Sequence, residues 1–378
     1  MLDLAIRPSL ERLEEYVVET IDADIVVNAN ESNYPLPEAV RSEIEAETGK
    51  VAFNRYPPMR GDSLRVLIAD ALGIDPDKVR VGNGSSELLQ MACYAFGGIG
   101  RRIAVPYPSF SMYSVYARLS DSDVLQYPLT VDGFLDAEAL IAFCRAKRPH
   151  LLIINNPNNP TGAVYQKETL EQLCKLAREN NILILADEIY NQLDYENQYV
   201  SIASFENMKD YTIIVNGFSK AYAMTGWRMG YIASSQKHID QILKVHQYTT
   251  TSQMTFAQIG MANAIDQEDV KKEVQHMVDT FALRRTFIME QLDQCKNLFY
   301  IKPHGAFYIM VDVSKTGLNG QEFADKLLEY GVAVVPANGF GKDFSDFIRI
   351  SFASSKENIA EAFVRIRKLL NDLNKEAC

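Results

Sequence analysis

The sequence lacks the paired cysteines and clustered histidines that mark a disulfide framework or a metal site. Its 378 residues include five cysteines and five histidines, and neither type occurs at metal-ligand spacing. The cysteines are odd in number and scattered, which suits a reducing compartment better than a secreted fold. We therefore predict no metal site. The residues concerned are Cys93, Cys144, Cys174, Cys295 and Cys378, and His150, His238, His246, His276 and His304.

The sequence also lacks long apolar stretches and any excess of positive charge. Residues Met1 to Arg7 have neither the basic patch nor the apolar core of a signal peptide, and no apolar run is long enough to span a bilayer. The formal net charge of -11 disfavours binding of a polyanion such as nucleic acid. We expect a cytoplasmic protein that acts on small molecules, without nucleic acid or membrane partners.

Neither repeats nor low-complexity tracts interrupt the chain, and a hydrophobic content of 47% is sufficient for a packed interior. The length exceeds that of one compact core, so a large domain with a smaller one is expected. Apolar β-rich runs alternate with helical periodicity, which is typical of an α/β protein with a parallel sheet and crossover helices. The predicted strands include 103–105, 151–154, 182–185, 213–215 and 231–233, and the clearest predicted helices are 168–178 and 359–373.

A lysine and an arginine lie eight positions apart in the segment from Asn216 to Gly230. Lys220 follows a predicted strand, so it would emerge at a strand's carboxyl end, where open α/β sheets bind their ligands. A primary amine held away from bulk water can form a Schiff base, and the guanidinium of Arg228 can bind a phosphate through two hydrogen bonds. Together they suit pyridoxal phosphate. Taken alone, the pair fits a solvated lysine and a surface arginine equally well.

Three further turns place polar groups at the ends of predicted strands. The first contains Asn159, whose amide can donate to an anionic oxygen. The second contains Asp187 and Tyr190; a carboxylate beside a pyridine nitrogen keeps that nitrogen protonated, because an opposite charge favours the charged form. The third is Gly84-Ser85-Ser86, which precedes a predicted helix and offers backbone N–H groups to a phosphate.

These segments, in this order, resemble the class I and II pyridoxal-phosphate-dependent aminotransferases, and the resemblance covers nearly the whole chain. It implies an α/β protein of fold-type I, with a large domain whose mostly parallel sheet carries helices on both faces and a smaller α+β domain. It makes Lys220 the Schiff-base lysine and Asp187 the partner of the pyridine nitrogen. Asn159 and Tyr190 would contact the phenolic oxygen of the cofactor. The catalytic residues would be Lys220, Asp187 and Tyr190, and the phosphate would be held by Gly84, Ser85, Ser86, Ser219 and Arg228.

The amino-terminal part resembles the histidinol-phosphate aminotransferase branch of this family. The segments that carry this resemblance are Ile6-Arg7-Pro8, Asn28-Ala29-Asn30-Glu31, Asn54-Arg55-Tyr56-Pro57 and Pro108 to Tyr113. In that branch the residue matching Tyr56 contacts the cofactor phosphate of the neighbouring subunit, so the resemblance implies a homodimer with shared sites. It also makes Phe110 the aromatic that stacks on the pyridine ring, worth about 1 kcal/mol beyond its area burial. Without the motif, Phe110 would be interpreted as an ordinary core residue.

The resemblance also assigns substrate-binding residues. Arg349 matches the arginine that binds the α-carboxylate of the substrate, and Asn30 would approach the substrate from the smaller domain. Arg349 lies between apolar residues on a predicted strand, so it would be buried, and a buried charge needs a partner. A structural salt bridge is the alternative role for it.

Two positions depart from the family pattern. Histidinol-phosphate enzymes usually carry an arginine where this chain has Val335, and a phosphate monoester needs a dedicated cation. Arg55 and Arg60 are candidates to replace it. The second departure is Gly217, where many relatives have a serine or threonine that contacts the phosphate, and we expect modestly weaker cofactor binding there. The segments Pro303 to Tyr308 and Val334 to Gly341 look more like the aspartate and aromatic aminotransferases.

The expected organisation is an N-terminal arm, 1–40, that joins the small domain, a large cofactor domain, 41–262, and a small C-terminal domain, 263–378. The predicted reaction moves an amino group between an amino acid or amine (histidinol phosphate, aromatic or acidic) and a 2-oxo acid such as 2-oxoglutarate, with histidine biosynthesis as the expected pathway. A decarboxylase or β-lyase on the same fold is the alternative, because a fold does not fix the reaction. The effector domain of a transcription regulator is disfavoured, because the cofactor-domain pattern starts within the first few dozen residues.

Overall fold

The computed structural model describes residues 10, 13, 22–28, 30–58 and 61–376. In chain order, the strands of this part are β1 (Ile25–Val26), β2 (Val79–Asn83), β3 (Arg102–Tyr107), β4 (Asp123–Pro128), β5 (Leu151–Asn155), β6 (Leu183–Asp187), β7 (Thr212–Gly217), β8 (Met229–Ala233), β9 (Phe299–Ile301), β10 (Tyr308–Asp312), β11 (Val332–Ala333), β12 (Val335–Pro336) and β13 (Phe347–Ser351). The α-helices are α1 (Glu38–Thr48), α2 (Asp62–Leu72), α3 (Gly84–Phe96), α4 (Met112–Leu119), α5 (Ala137–Lys147), α6 (Lys167–Asn180), α7 (Gln236–Thr249), α8 (Thr255–Ala264), α9 (Glu268–Asp293), α10 (Gly320–Glu329) and α11 (Lys356–Glu376).

A seven-stranded sheet with the order β2-β8-β7-β6-β5-β3-β4 forms the larger part of the fold. Only β8 runs against its neighbours, so the sheet is mostly parallel, as predicted. Successive side chains of its central strands point to opposite faces, and both faces are apolar. Leu152 and Ile154 belong to one buried cluster, whereas Ile153 and Leu185 belong to another on the opposite face. Helices therefore cover the sheet on both sides.

The second sheet is antiparallel, has the order β12-β13-β10-β9, and packs against α9, α10 and α11. Its core includes Phe281, Phe307 and Phe363, together with Tyr190 from the loop after β6. This contact brings the smaller sheet to the edge of the larger one.

The five strands predicted from sequence are confirmed as β3, β5, β6, β7 and β8, and the two predicted helices as α6 and α11. The parallel pairing of β1 with β11 attaches part of the predicted N-terminal arm to the C-terminal unit. The division into these three segments stays a prediction. Ile6-Arg7-Pro8, Ala29, Arg60 and Cys378 lie outside the described residues.

Within the described ranges, no helix is both long and apolar enough to cross a membrane. Nor do three or more acidic, histidine or cysteine side chains of that part gather at a point where they could hold a metal ion. Four of the cysteines, Cys93, Cys144, Cys174 and Cys295, are buried free thiols. The cytoplasmic location stays a prediction.

Candidate active site

The candidate site lies at one edge of the seven-stranded sheet. Strands β2, β5, β6 and β7 run in the same direction, because β8 is antiparallel to both of its neighbours. Their carboxyl ends, at Asn83, Asn155, Asp187 and Gly217, therefore meet at a common edge. This is the edge at which open α/β sheets bind ligands.

A cavity at this edge collects most of the residues that the sequence singles out. Ten predicted residues line it: Asn30, Ser85, Ser86, Phe110, Asn159, Asp187, Tyr190, Ser219, Lys220 and Arg228. Four further residues complete its wall: Tyr113, Asn155, Ile189 and Thr225. The lysine and the arginine of one segment and the aspartate of another thus share one small space.

Lys220 follows β7 and extends into this cavity. Its Nζ donates a hydrogen bond of 2.7 Å to the backbone oxygen of Asn30 and lies 5.7 Å from the ring centre of Phe307. Burial, followed by the positive charge of Arg349, lowers the pKa of Lys220 to about 7. An amine with such a pKa is largely neutral just above neutral pH, as a nucleophile or a general base must be.

Asp187 is the last residue of β6 and is only 4% exposed. One carboxylate oxygen accepts a hydrogen bond of 2.7 Å from the hydroxyl of Tyr113, and the other accepts one of 3.2 Å from the N–H of Ile189. Burial raises the pKa of Asp187 to about 6 against the opposing effect of these hydrogen bonds. A buried carboxylate of this kind favours a cation as its partner, because ionisation is then stabilised.

Tyr190 lies one turn beyond Asp187, in a cluster of polar side chains. Its hydroxyl is 2.5 Å from the hydroxyl of Tyr308 and donates a hydrogen bond of 3.3 Å to Oδ1 of Asn30. Tyr308 also donates to the same oxygen of Asn30. Burial raises the pKa of Tyr190 to about 12, so the hydroxyl stays protonated and can donate to an anionic oxygen.

Arg349 lies in the middle of β13 and is 6% exposed. Its Nη1 donates a hydrogen bond of 3.0 Å to Oδ1 of Asn159, and its guanidinium lies over the rings of Tyr308 and Phe340, at 4.3 and 4.9 Å from their centres. Its Nε is buried without a hydrogen-bond partner. Among the residues that the structure describes, no carboxylate forms an ion pair with Arg349, so the structural salt bridge considered from sequence is not present there. A buried guanidinium in this state is suited to an external carboxylate.

The start of α3 and Arg228 form the other end of the cavity. Gly84 has a φ of +78°, and a Cβ added to it would lie 2.9 Å from Nη2 of Arg228. Arg228 also donates a hydrogen bond of 3.0 Å to the backbone oxygen of Thr225. The guanidinium, the N–H groups at the helix start and the hydroxyls of Ser85 and Ser86 together form a donor set that suits a phosphate.

Gly217 and Gly230 face each other in the β7–β8 pair. A Cβ on Gly217 would lie 2.9 Å from the carbonyl oxygen of Met229, and one on Gly230 would lie 2.7 Å from the backbone N of Ser85. The space next to the phosphate-binding turn thus requires glycine. A serine or threonine at the position of Gly217 would not fit here without movement of the backbone.

Phe110 lines the cavity and meets Tyr113 edge to face, with ring centres 5.4 Å apart. Tyr56 does not line this cavity and is 88% exposed in the single chain. Arg55 is exposed as well. Val335 lies opposite Arg349 in the β12–β13 pair and provides no cation there.

Several residues that the structure brings into the site have no role in the sequence-based prediction. Tyr113 and Tyr308 were visible within motifs, but nothing in the pattern indicated that they contact Asp187 and Tyr190. Asn155 ends its strand and accepts a hydrogen bond of 2.7 Å from the backbone N of Asn159. A polar residue at the last position of a predicted strand was the available signal for it.

Comparison with known proteins agrees with this geometry. The sequence matches the family described as "Aminotransferase class I and II" over residues 24–366. It is 35% identical to a probable aspartate aminotransferase of Methanocaldococcus jannaschii, over 96% of this chain and 97% of that protein. It is 31% identical to aromatic-amino-acid aminotransferase 2 of Thermococcus litoralis, over 97% of each. The structure of an aromatic aminotransferase from Pyrococcus horikoshii matches with a TM-score of 0.89 at 31% identity, over 98% of each chain.

The chain belongs to the class I and II aminotransferase family and has fold-type I of the pyridoxal-phosphate-dependent transferases. It is an aminotransferase, and its cofactor is pyridoxal phosphate. The donor set described above fits this cofactor, with an amine, a buried carboxylate and a phosphate-binding turn in one cavity. The predicted histidinol-phosphate branch and the predicted role in histidine biosynthesis are not supported, because these relatives are aspartate and aromatic aminotransferases. Val335 supplies no cation for a substrate phosphate, which is a physical reason against the histidinol-phosphate branch.

Proposed function

We propose that this aminotransferase takes the amino group from aspartate or an aromatic amino acid and passes it to a 2-oxo acid such as 2-oxoglutarate. The names of its relatives support this choice of donors. The observation that carries the proposal is the state of Arg349, which is buried, oriented by Asn159 and lacks an ion-pair partner in the described part of the chain. Every amino-acid donor and 2-oxo-acid acceptor carries the α-carboxylate that this guanidinium would bind.

The lining of the same cavity supports a role for each residue around the cofactor. Pyridoxal phosphate, when bound, supplies the electron sink that weakens the bonds at the substrate's Cα. Asp187 would hold the pyridine nitrogen in its protonated form, because a carboxylate next to that nitrogen favours the charged state. Tyr190 and Asn159 would donate to the phenolic oxygen, and Phe110 would cover one face of the ring.

Lys220 would serve both as the covalent anchor of the cofactor and as the group that moves a proton. Its low pKa leaves the amine able to accept a proton from the substrate's Cα near neutral pH. The backbone oxygen of Asn30 accepts a hydrogen bond of 2.7 Å from that amine, and the side chain of the same asparagine accepts one from Tyr190. Arg349 would orient the substrate, so that Cα lies within reach of Lys220.

The phosphate would be held by Ser85, Ser86, Ser219, Arg228 and the backbone of Gly84. We further propose a homodimer in which Tyr56 contacts the phosphate in the partner subunit. Support comes from the exposure of Tyr56 and its neighbour Phe53, at 88% and 75%, which is unusual for large aromatic side chains. Sedimentation of the purified protein would test the dimer.

The proposal on donors can be tested by single-turnover spectroscopy of the purified, cofactor-loaded protein. Aspartate, phenylalanine, tyrosine and histidinol phosphate are mixed with it separately, and loss of the yellow lysine-linked form is followed with time. We expect rapid conversion by aspartate or by the aromatic amino acids and slow conversion by histidinol phosphate. Conversion by histidinol phosphate alone would contradict the proposed donors.

Product analysis of the same reactions addresses the lyase alternative. Transamination produces a 2-oxo acid and leaves the amino group on the cofactor, whereas a lyase releases ammonia and a decarboxylase releases carbon dioxide. We expect stoichiometric 2-oxo acid from the donor. Release of ammonia or carbon dioxide at the rate at which the donor is consumed would show that elimination or decarboxylation, and not transamination, is the main reaction.

A further inference from the structure

Two helices of this protein begin with an asparagine that is followed closely by a glutamate, and the two pairs are arranged differently. At the start of α10, Oδ1 of Asn319 accepts a hydrogen bond of 3.0 Å from the backbone N–H of Glu322. The carboxylate of Glu322 accepts one of 2.9 Å from the N–H of Asn319. This is a complete capping box, in which the asparagine satisfies a free N–H group of the helix.

At the start of α3, the asparagine does not cap the helix. Nδ2 of Asn83 donates a hydrogen bond of 3.0 Å to Glu87, and the backbone N–H of Asn83 donates a second one, of 2.7 Å, to the same carboxylate. Asn83 makes no side-chain hydrogen bond to the helix N–H groups. Since its amide is turned toward the glutamate, the first N–H groups of α3 remain available to a ligand.

Glu87 is itself fixed by residues at the end of α7 and just beyond it. The hydroxyl of Thr250 donates a hydrogen bond of 2.6 Å to the carboxylate, and Nε2 of His246 lies 3.4 Å from its other oxygen. Gln253 is 2.6 Å from the same nitrogen of His246. Burial raises the pKa of Glu87, but the hydrogen bonds from His246, Thr250 and Asn83 outweigh it and lower the pKa to about 2. The carboxylate is therefore ionised and held in place.

We propose that Glu87 is a positioning residue for the cofactor phosphate, because it keeps the side chain of Asn83 from capping the N–H groups at Gly84-Ser85-Ser86. Asparagine is among the strongest N-capping residues, and such a cap would compete with the phosphate for these donors. The inference rests on the proposed placement of the phosphate at this turn. It explains why the same two residue types stabilise α10 directly but leave α3 open.

The test compares two ligands that differ only in the phosphate. Dissociation constants of pyridoxal phosphate and of pyridoxal are measured by titration of the apoprotein for the wild type and for Glu87→Ala. The released asparagine should weaken binding of pyridoxal phosphate about fivefold, the effect of one N-cap. Binding of pyridoxal should be unchanged. Equal weakening of both ligands, or tighter binding of pyridoxal phosphate through loss of the negative charge, would overturn the proposal.

A second substitution separates this competition from a general loss of structure. Asn83→Ala in the Glu87→Ala background removes the competing side chain, so affinity for pyridoxal phosphate should return to near the wild-type value. Failure of this rescue would contradict the role given to Asn83. Glu322→Ala is the matched control, because it removes the glutamate of the α10 capping box and should leave affinity for pyridoxal phosphate unchanged.

Two further measurements distinguish a failure of the Glu87 proposal from misfolding and from a wrong placement of the phosphate. If Glu87→Ala does not fold, Thr250→Val removes one of the hydrogen bonds that hold the carboxylate and should weaken binding of pyridoxal phosphate in the same direction, again with rescue by Asn83→Ala. If the wild type does not prefer pyridoxal phosphate to pyridoxal, the proposed placement of the phosphate is wrong. If it does and Glu87→Ala keeps the full preference, only the role of Glu87 is wrong.

Discussion

Arg349 donates a hydrogen bond of 3.0 Å from Nη1 to the side-chain oxygen of Asn159. Arg349 belongs to the smaller antiparallel sheet, whereas Asn159 belongs to the turn after β5 of the larger one. The bond thus connects the proposed substrate-binding group with a proposed partner of the cofactor. It also fixes one edge of the guanidinium and leaves Nε without a protein partner.

The first prediction concerns the geometry of this guanidinium. Arg349→Lys keeps the positive charge but loses the planar, two-pronged donor set. Charge-assisted hydrogen bonds contribute roughly 1.5–3 kcal/mol each, so kcat/KM should fall on the order of 10- to 100-fold for donor and acceptor alike. Steady-state kinetics with both substrates measure this.

Arg365→Lys is the control, because it alters ion pairs of α11 with Asp24 and Glu361 away from the cavity. It should leave kcat/KM unchanged for donor and acceptor. An unaltered kcat/KM in Arg349→Lys would contradict the role of this residue.

The second prediction concerns the covalent role of Lys220. Lys220→Ala removes both the anchor and the proton carrier, so turnover should fall by at least on the order of 10²- to 10⁴-fold, the contribution of proton transfer alone. Borohydride treatment followed by peptide mass analysis should find the cofactor on Lys220 in the wild type and on no peptide of the variant. Lys209→Ala changes an exposed lysine outside this cavity and should keep activity and labelling. Labelling of another lysine in the wild type would remove Lys220 from its proposed role.

The third prediction concerns the pH dependence of apoprotein stability. The native state holds a proton on Lys220 only below about pH 7, whereas the unfolded chain holds it up to about the ordinary value of 10.5. Between these values the unfolded state binds more protons, so stability increases with pH. Below about pH 7 Lys220 is charged in both states, so the native state bears the full free-energy cost of burying that charge. Lys220→Met removes that penalty and should be more stable than the wild-type apoprotein at pH 6.5, with a difference that shrinks toward pH 10.

Urea unfolding of both apoproteins at pH 6.5, 8 and 9.5 measures this difference. Lys209→Met is the control, because Lys209 is exposed, and its difference from the wild type should not change with pH. A constant difference between Lys220→Met and the wild type across the range would mean that the amine of Lys220 titrates in the native state as it does in the unfolded chain.

Much of the fold and the identity of most cavity residues could be predicted from the sequence, because both depend on short-range patterns. Apolar runs of five residues predict strands, and parallel strands bring their carboxyl ends to one edge. Asp187 ends one such run and Lys220 comes three residues after the end of β7, so their positions follow from the order of the strands. Arg349 was predicted to be buried from its apolar neighbours, and it is 6% exposed.

Contacts between distant segments could not be predicted in this way. The hydrogen bonds from Lys220 to Asn30 and from Tyr113 to Asp187 join residues separated by 190 and 74 positions. The first contact depends on how the segment after β1 lies against the end of β7, and the second on how α4 packs against β6. Neither periodicity nor turn chemistry encodes that packing. The inverted arrangement of Asn83 and Glu87 is similar, because it depends on His246 in α7 and on Thr250 just after it, which the local sequence does not reveal.

The last prediction concerns Gly217, where the family resemblance leads one to expect a serine or threonine. The added Cβ would lie 2.9 Å from the carbonyl oxygen of Met229 and 3.0 Å from Cα of Gly230, and both atoms belong to the backbone of β8. Overpacking of this kind costs about 1–3 kcal/mol. Gly230 in turn lies against the backbone of Gly84 and Ser85, so a displacement of β8 would also disturb the phosphate-binding turn. Gly217→Ser should therefore lower both the free energy of unfolding and the affinity for pyridoxal phosphate, as measured by urea unfolding and by cofactor titration.

Gly49→Ser is the control, because its added Cβ would meet no atom within 4 Å, and it should change neither quantity. Tighter cofactor binding by Gly217→Ser at unchanged stability would show that β8 moves aside freely and that the missing hydroxyl alone limits phosphate binding.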